Sequence, residues 1–103
     1  MEIRWVDEAY DAWEATADYI FKEWGVKALE NFVAKTDDWR EILKRSPEAG
    51  KIEPLLTNRS TVYRSIVLTP KNKLIYTVKD KTIWMVDFWD TRREPKNQAD
   101  GLK

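Results

Sequence analysis

The spacing of apolar residues changes twice along this chain of 103 residues, and the changes divide it into elements. Residues 2–6 alternate, with Ile3 and Trp5 on one side, which predicts a short strand. Asp7 follows, a residue suited to cap a helix by accepting from the free amides of its first turn. Ala9, Ala12, Trp13, Thr16, Ala17, Ile20, Phe21 and Trp24 then recur at intervals of three and four, drawing one apolar stripe along about four turns. Gly25 ends that helix, because glycine enters the left-handed cap conformation without a Cβ penalty. A second stripe, Leu29, Phe32, Val33, Thr36, Trp39, Ile42 and Leu43, stops at Ser46-Pro47-Glu48-Ala49-Gly50. So short a link makes the two helices an antiparallel hairpin. Residues 51–59 carry Pro54 and no clear period, and read as a connection.

From Ser60 onward the period is two, in runs at 61–68, 73–79 and 82–90 separated by Thr69-Pro70-Lys71-Asn72 and Lys79-Asp80-Lys81. Strands joined by such short links form an antiparallel meander. The expected fold is therefore α+β: an N-terminal strand, an antiparallel two-helix hairpin, then a three-stranded meander, with the helices packed on one sheet face. Residues 1–95 form one domain in this reading, and residues 96–103 a flexible tail.

Strict alternation splits the strands into two lists. Tyr63, Ser65, Val67, Leu74, Tyr76, Val78, Trp84, Val86 and Phe88 are almost all apolar and are expected to cover the helices. Val62, Arg64, Ile66, Lys73, Ile75, Thr77, Ile83, Met85, Asp87 and Trp89 form the other face, with Arg92 just beyond the strand end. Two readings apply to that mixed face. In the first, Asp87 neutralises Arg64 or Lys73, Arg92 and Arg93 are solvated, and a loop, the tail or a second subunit covers the apolar remainder. In the second, the cations converge on a phosphate beside Trp89, on which a base stacks. The apolar residues of the face independently suggest a protein partner.

Composition narrows the chemistry. The chain has no Cys and no His, which excludes disulfides, thiolate and imidazole metal sites, and imidazole acid–base catalysis. No cofactor motif is visible, and Asp87 with Asp90 are too few carboxylates for a metal site. No apolar run approaches membrane-spanning length, so a cytosolic protein is expected. A formal net charge of zero hides an asymmetry. Residues 1–24 hold seven acids against two bases, whereas residues 59–103 hold ten bases against five acids, a cationic half that suits a polyanion. Six Trp in so short a chain point to a core built on large aromatics.

The element order resembles that of the RelE/ParE family of bacterial type II toxin–antitoxin toxins. The residues "ATADYIFKEWG" (15–25), "LKRSPEAG" (43–50), "YRSIV" (63–67), "KLIYTV" (73–78) and "VDFWDTRREP" (86–95) are similar to that family's blocks, in its order and spacing. The resemblance implies a toxin neutralised by a cognate antitoxin whose C-terminal segment wraps the helices and the open sheet. Val62, Ile66, Ile75, Met85 and Trp89 are the expected antitoxin-binding residues, in a homodimer or a toxin–antitoxin hetero-oligomer. It implies one of two targets, mRNA in the ribosomal A site or DNA gyrase. Arg64, Lys73 and Arg92 match the RelE-like catalytic cations. Cleavage by 2′-hydroxyl attack also needs proton carriers. The Tyr or His common after that arginine is missing from residues 94–103, leaving Asp87 and Glu94 as candidate bases. This departure favours a non-cleaving, ParE-like action over mRNA cleavage. A non-toxic adaptor that binds a peptide on the sheet face is the third reading.

Overall fold

The computed structural model describes residues 1–57 and 60–90. Arg92 and Glu94 lie outside the described residues, as do Arg93 and the tail. The elements are β1 (Glu2–Trp5), α1 (Asp7–Trp24), α2 (Val26–Arg45), β2 (Lys51–Ile52), a 3-10 turn (Pro54–Leu56), β3 (Arg64–Thr69), β4 (Asn72–Lys79) and β5 (Thr82–Asp90). One five-stranded sheet has the order β1-β5-β4-β3-β2. The meander is antiparallel, while β1 joins β5 in parallel, which is possible because the helical hairpin supplies the crossover.

The helices form where the stripes predict them. Gly25 alone links them, at φ 90°, and its N–H donates to the Phe21 carbonyl. Asp7 is not the cap: Val6 holds that position in extended conformation with no side-chain cap, and Asp7 is the first helical residue. The chain is turned instead by the Val6 N–H, which donates to the Met85 carbonyl at 3.0 Å and so ties the helix start to β5. An acid in the first turn still faces the positive end of the helix dipole.

Between helices and sheet lies a core of Phe32, Leu43, Ile66, Leu68, Leu74, Tyr76, Ile83, Met85 and Phe88. Rings run through it in series: Trp5 to Trp13 at 6.2 Å, Trp13 to Phe32 at 5.4 Å and Phe32 to Phe88 at 6.3 Å, linking β1, α1, α2 and β5. The Trp13 indole donates to Thr36 Oγ1 at 2.9 Å and the Thr36 hydroxyl donates in turn to the Phe32 carbonyl at 3.0 Å, so these two buried polar groups are paired.

The facing expected from the sequence fails in two strands, by an inverted phase on β3 and by a break in alternation on β5. On β3, Ile66 and Leu68 face the helices, whereas Ser65 turns to the opposite face and Val67 is exposed. On β5, Ile83 and Met85 face the helices, and so does Phe88, three residues on rather than two. The extra residue is Val86: Ile75 pairs with Asp87 but Tyr76 pairs with Met85, a β-bulge that resets the phase. The Asp87 carboxylate secures it, accepting from the Phe88 N–H and from the Trp89 indole N–H, both at 2.8 Å.

The second sheet face is partly covered. Residues 51–57 form a strap over it: β2 pairs with the start of β3, and Leu56 packs with Tyr63, Ile75 and Trp89 in a second small core. The connection without period is thus the layer that shields Ile75 and Trp89, while Val67 on the same face stays exposed. No described helix is long and apolar enough to cross a membrane.

Candidate functional site

The expected cationic face divides in two. Arg64 pairs with Tyr76 and Lys73 with Val67, and successive positions point to opposite faces, so the two cations lie on opposite sides of the sheet. Arg64 reaches the loop after α2, its Nη1 donating to the Gly50 carbonyl at 2.9 Å and to the Glu48 carbonyl at 3.3 Å. Tyr76 clasps the same loop, donating to the Pro47 carbonyl at 2.7 Å and accepting from the Gly50 N–H at 2.9 Å. A Cβ on Gly50 would stand 2.5 Å from the Tyr76 hydroxyl, so only glycine admits this approach. A shallow cavity of about 350 Å³ opens here between Met1, Pro47, Val62, Arg64 and Val78.

Burial pushes the Tyr76 phenol above its ordinary value, with the Gly50 hydrogen bond acting the other way. A raised value means that the protonated phenol contributes stability below pH ~10 and that this contribution fades as pH rises through the folded-state value. Tyr76→Phe should therefore lose about 1–3 kcal/mol near neutral pH, from two broken hydrogen bonds and an orphaned Gly50 N–H. The difference from the parent should shrink in alkaline denaturation series; a constant gap would remove the phenol's titration from the account.

Lys73, on the strap side, meets a partner that sequence reasoning missed. Its Nζ contacts both carboxylate oxygens of Glu53, one at 2.9 Å, and stands 5.2 Å from the centre of the Trp89 ring. Glu53 is wholly buried, and Ser65 donates to it at 3.2 Å. Asp87, the expected neutraliser of Arg64 or Lys73, is engaged by the bulge and by Trp89 instead. Trp89 is 1% exposed and presents no face to a base. Glu53 precedes Pro54 and is held extended, at φ −72° and ψ 116°, but nothing local in the sequence marks Lys73 as its partner.

The expected antitoxin-binding residues are also redistributed. Ile66 and Met85 lie in the core under the helices, Ile75 and Trp89 lie under the strap, and Val62 alone is exposed. Exposed apolar surface gathers elsewhere. Near the end of α1, Tyr19, Phe21 and Trp24 stand in solvent, as does Val26 at the start of α2. Beside them a groove of about 700 Å³ runs between the hairpin and the β3–β4 turn, with Ile20, Trp24, Ala28, Phe32 and Leu68 in its walls and Lys35 and Lys71 also lining it. Its floor borders β3, which β2 covers only at Arg64 and Ser65, so the backbone edge from Ile66 to Thr69 has no strand beside it among the described residues. No group of His, Cys, Asp or Glu among the described residues gathers closely enough to hold a metal.

No protein-family model matches the chain, and no curated protein is similar enough to match. Solved structures do match its fold. The chromosomal ParDE TA system from P. aeruginosa is similar at TM-score 0.67 and 18% identity, over 87% of this chain and 95% of that one. The YoeB/ParE toxin from Agrobacterium tumefaciens follows at TM-score 0.62 and 21% identity, over 87% and 98%. The YoeB dimer from Staphylococcus aureus gives TM-score 0.60 and 21% identity, over 86% and 94%. The strand, helical hairpin and antiparallel sheet of this chain are the fold of the RelE/ParE toxins.

Proposed function

We propose that the chain is the toxin of a type II toxin–antitoxin module, inhibiting growth when free and silenced by an antitoxin segment seated in the hairpin groove. The observation that carries this is the groove itself. An apolar channel beside an unpaired strand edge suits a peptide that adds a strand to β3 and lays an amphipathic helix against Trp24, Phe32 and Leu68. Lys35 and Lys71 favour acidic residues on that helix. Ala28→Glu places a charge in the groove wall and should weaken antitoxin binding by at least about tenfold while toxicity persists. Undiminished binding in a titration would move the antitoxin to another surface.

Between targets, a ParE-like action on gyrase is favoured, because Arg64 and Lys73 sit on opposite sheet faces and each is already engaged. One observation supports mRNA cleavage as the second reading: Glu53 against Lys73 is a carboxylate beside a cation. In that chemistry Glu53 would take the 2′-hydroxyl proton as the oxygen attacks phosphorus. Lys73 would face the charge gathered on the phosphorane, and water would protonate the departing 5′ oxygen. A gyrase supercoiling assay run beside a reconstituted translation reaction with primer extension separates the two. Lost supercoiling with intact mRNA is expected; new mRNA ends at A-site codons, absent in Glu53→Gln, would replace gyrase by the ribosome.

A further inference from the structure

The groove leaves part of the exposed apolar surface without a role. Trp24 borders it, but Phe21 and Val26 do not, so a segment seated there leaves both in water. Phe21, Trp24 and Val26 are 51%, 70% and 60% exposed, and all three fall within the six residues that make the elbow of the hairpin. Gly25 joins the helices there, and a Cβ added to it would meet nothing within 4 Å. The elbow is therefore a convex apolar tip that stands clear of its surroundings.

Such a tip offers a folded partner little area to enclose, whereas the boundary layer of a bilayer closes around it from every side. Its composition suits that layer. An indole favours the level between headgroups and acyl chains, where the ring is buried and the N–H stays wet. Lys22 and Lys27 flank the tip on stems long enough to carry their ammoniums up to lipid phosphates. Both are exposed, and neither is ion-paired among the described residues. Residues 21–27 set these two lysines against one acid, Glu23. The other acids of α1, Asp7, Glu8, Asp11, Glu14 and Asp18, are exposed and precede the elbow, so they keep the length of the helix off an anionic surface and leave its end to approach. We infer that the hairpin elbow is a membrane-surface anchor: Phe21, Trp24 and Val26 enter one leaflet of a bilayer containing anionic phospholipid, and Lys22 and Lys27 take the headgroup phosphates. This is contact with a surface and not a span, and it stands whichever target the toxin has.

The test sediments the full chain, free of any partner, with vesicles of phosphatidylcholine containing about one quarter phosphatidylglycerol. The parent should pellet with them. Phe21→Ser combined with Val26→Ser should lower the partition coefficient at least about tenfold, the scale of two apolar side chains returned to water. Lys22→Gln and Lys27→Gln should each cost about fivefold on these vesicles and leave partition onto pure phosphatidylcholine unchanged. Lipid brominated on its acyl chains should quench part of the parent's tryptophan emission. Trp24→Phe keeps an apolar ring, so it should still pellet but lose that quenching. A parent that stays in the supernatant while circular dichroism shows it folded would overturn the inference and return the elbow to a protein partner. Quenching that survives Trp24→Phe, or a serine double variant that pellets like the parent, would equally overturn it. Every arm reads binding without growth arrest or antitoxin, so its failure is distinct from a failure of the toxin reading.

Discussion

Lys73→Met is expected to lose about 3–5 kcal/mol of folding stability, far more than a half-buried lysine usually contributes, because it strands a carboxylate with no access to water. Glu53 is wholly buried, and among the described residues its carboxylate meets Lys73 and the 3.2 Å contact from Ser65. The reverse change, Glu53→Gln, should be milder, since Lys73 can extend its ammonium into solvent. Replacing both residues by methionine should recover most of the loss, because the desolvation penalty leaves with the charges. Urea denaturation of the two single variants and the double variant measures the coupling. Independent, additive losses would mean that the pair is not a unit in solution and that the strap is not anchored there.

Trp89→Ala should also lose about 3–5 kcal/mol, as large aromatic truncations in a core do. The residue is 1% exposed, packs with Leu56, Tyr63 and Ile75, and carries the Lys73 ammonium on its ring. Its removal leaves a cavity beneath the strap and frees Asp87 from one of its two donors. The variant's defect should therefore appear in the denaturation midpoint, with antitoxin affinity of the folded fraction close to the parent's. A stable Trp89→Ala that no longer binds antitoxin would return Trp89 to the interaction surface.

Local features of this fold were legible where one physical signal acted alone. The helical stripes ended at Gly25 and Ser46 as expected, since the residues that stop a helix are adjacent to the period that makes it. The last strand, Thr82–Asp90, was read at its observed bounds. Facing was less legible. A sheet covered on both sides lacks a clean apolar–polar alternation, and Val86 inserts a residue that no count of two anticipates. Ile83 and Met85 were thereby assigned to the wrong face, as was Ile66 on β3, where Ile66, Val67 and Leu68 offer both phases. Asp7 looked like a cap because its residue type suits one, but the backbone bond from Val6 to Met85 already turned the chain.

The candidate site shows the same division. Lys73 stands out in the sequence as a cation of interest, but the partner it meets lies in the stretch without period, and pairing across 20 residues leaves no local mark. Trp24 carried an ambiguous signal. It falls on the apolar stripe of α1, which predicts burial, yet it is 70% exposed. Phe21 on the same stripe is exposed as well, and Trp24 lines the groove.

The central claim is that this chain arrests growth when its partner is absent. Inducing it in a bacterial host without antitoxin, and following optical density and colony formation while immunoblots and solubility confirm folded protein, tests that claim most directly. The account predicts that growth stops on induction and resumes when the antitoxin is co-expressed, with Ala28→Glu resisting the rescue. Normal growth at the same level of folded protein would contradict it, and would leave the groove as the peptide-binding surface of a non-toxic adaptor.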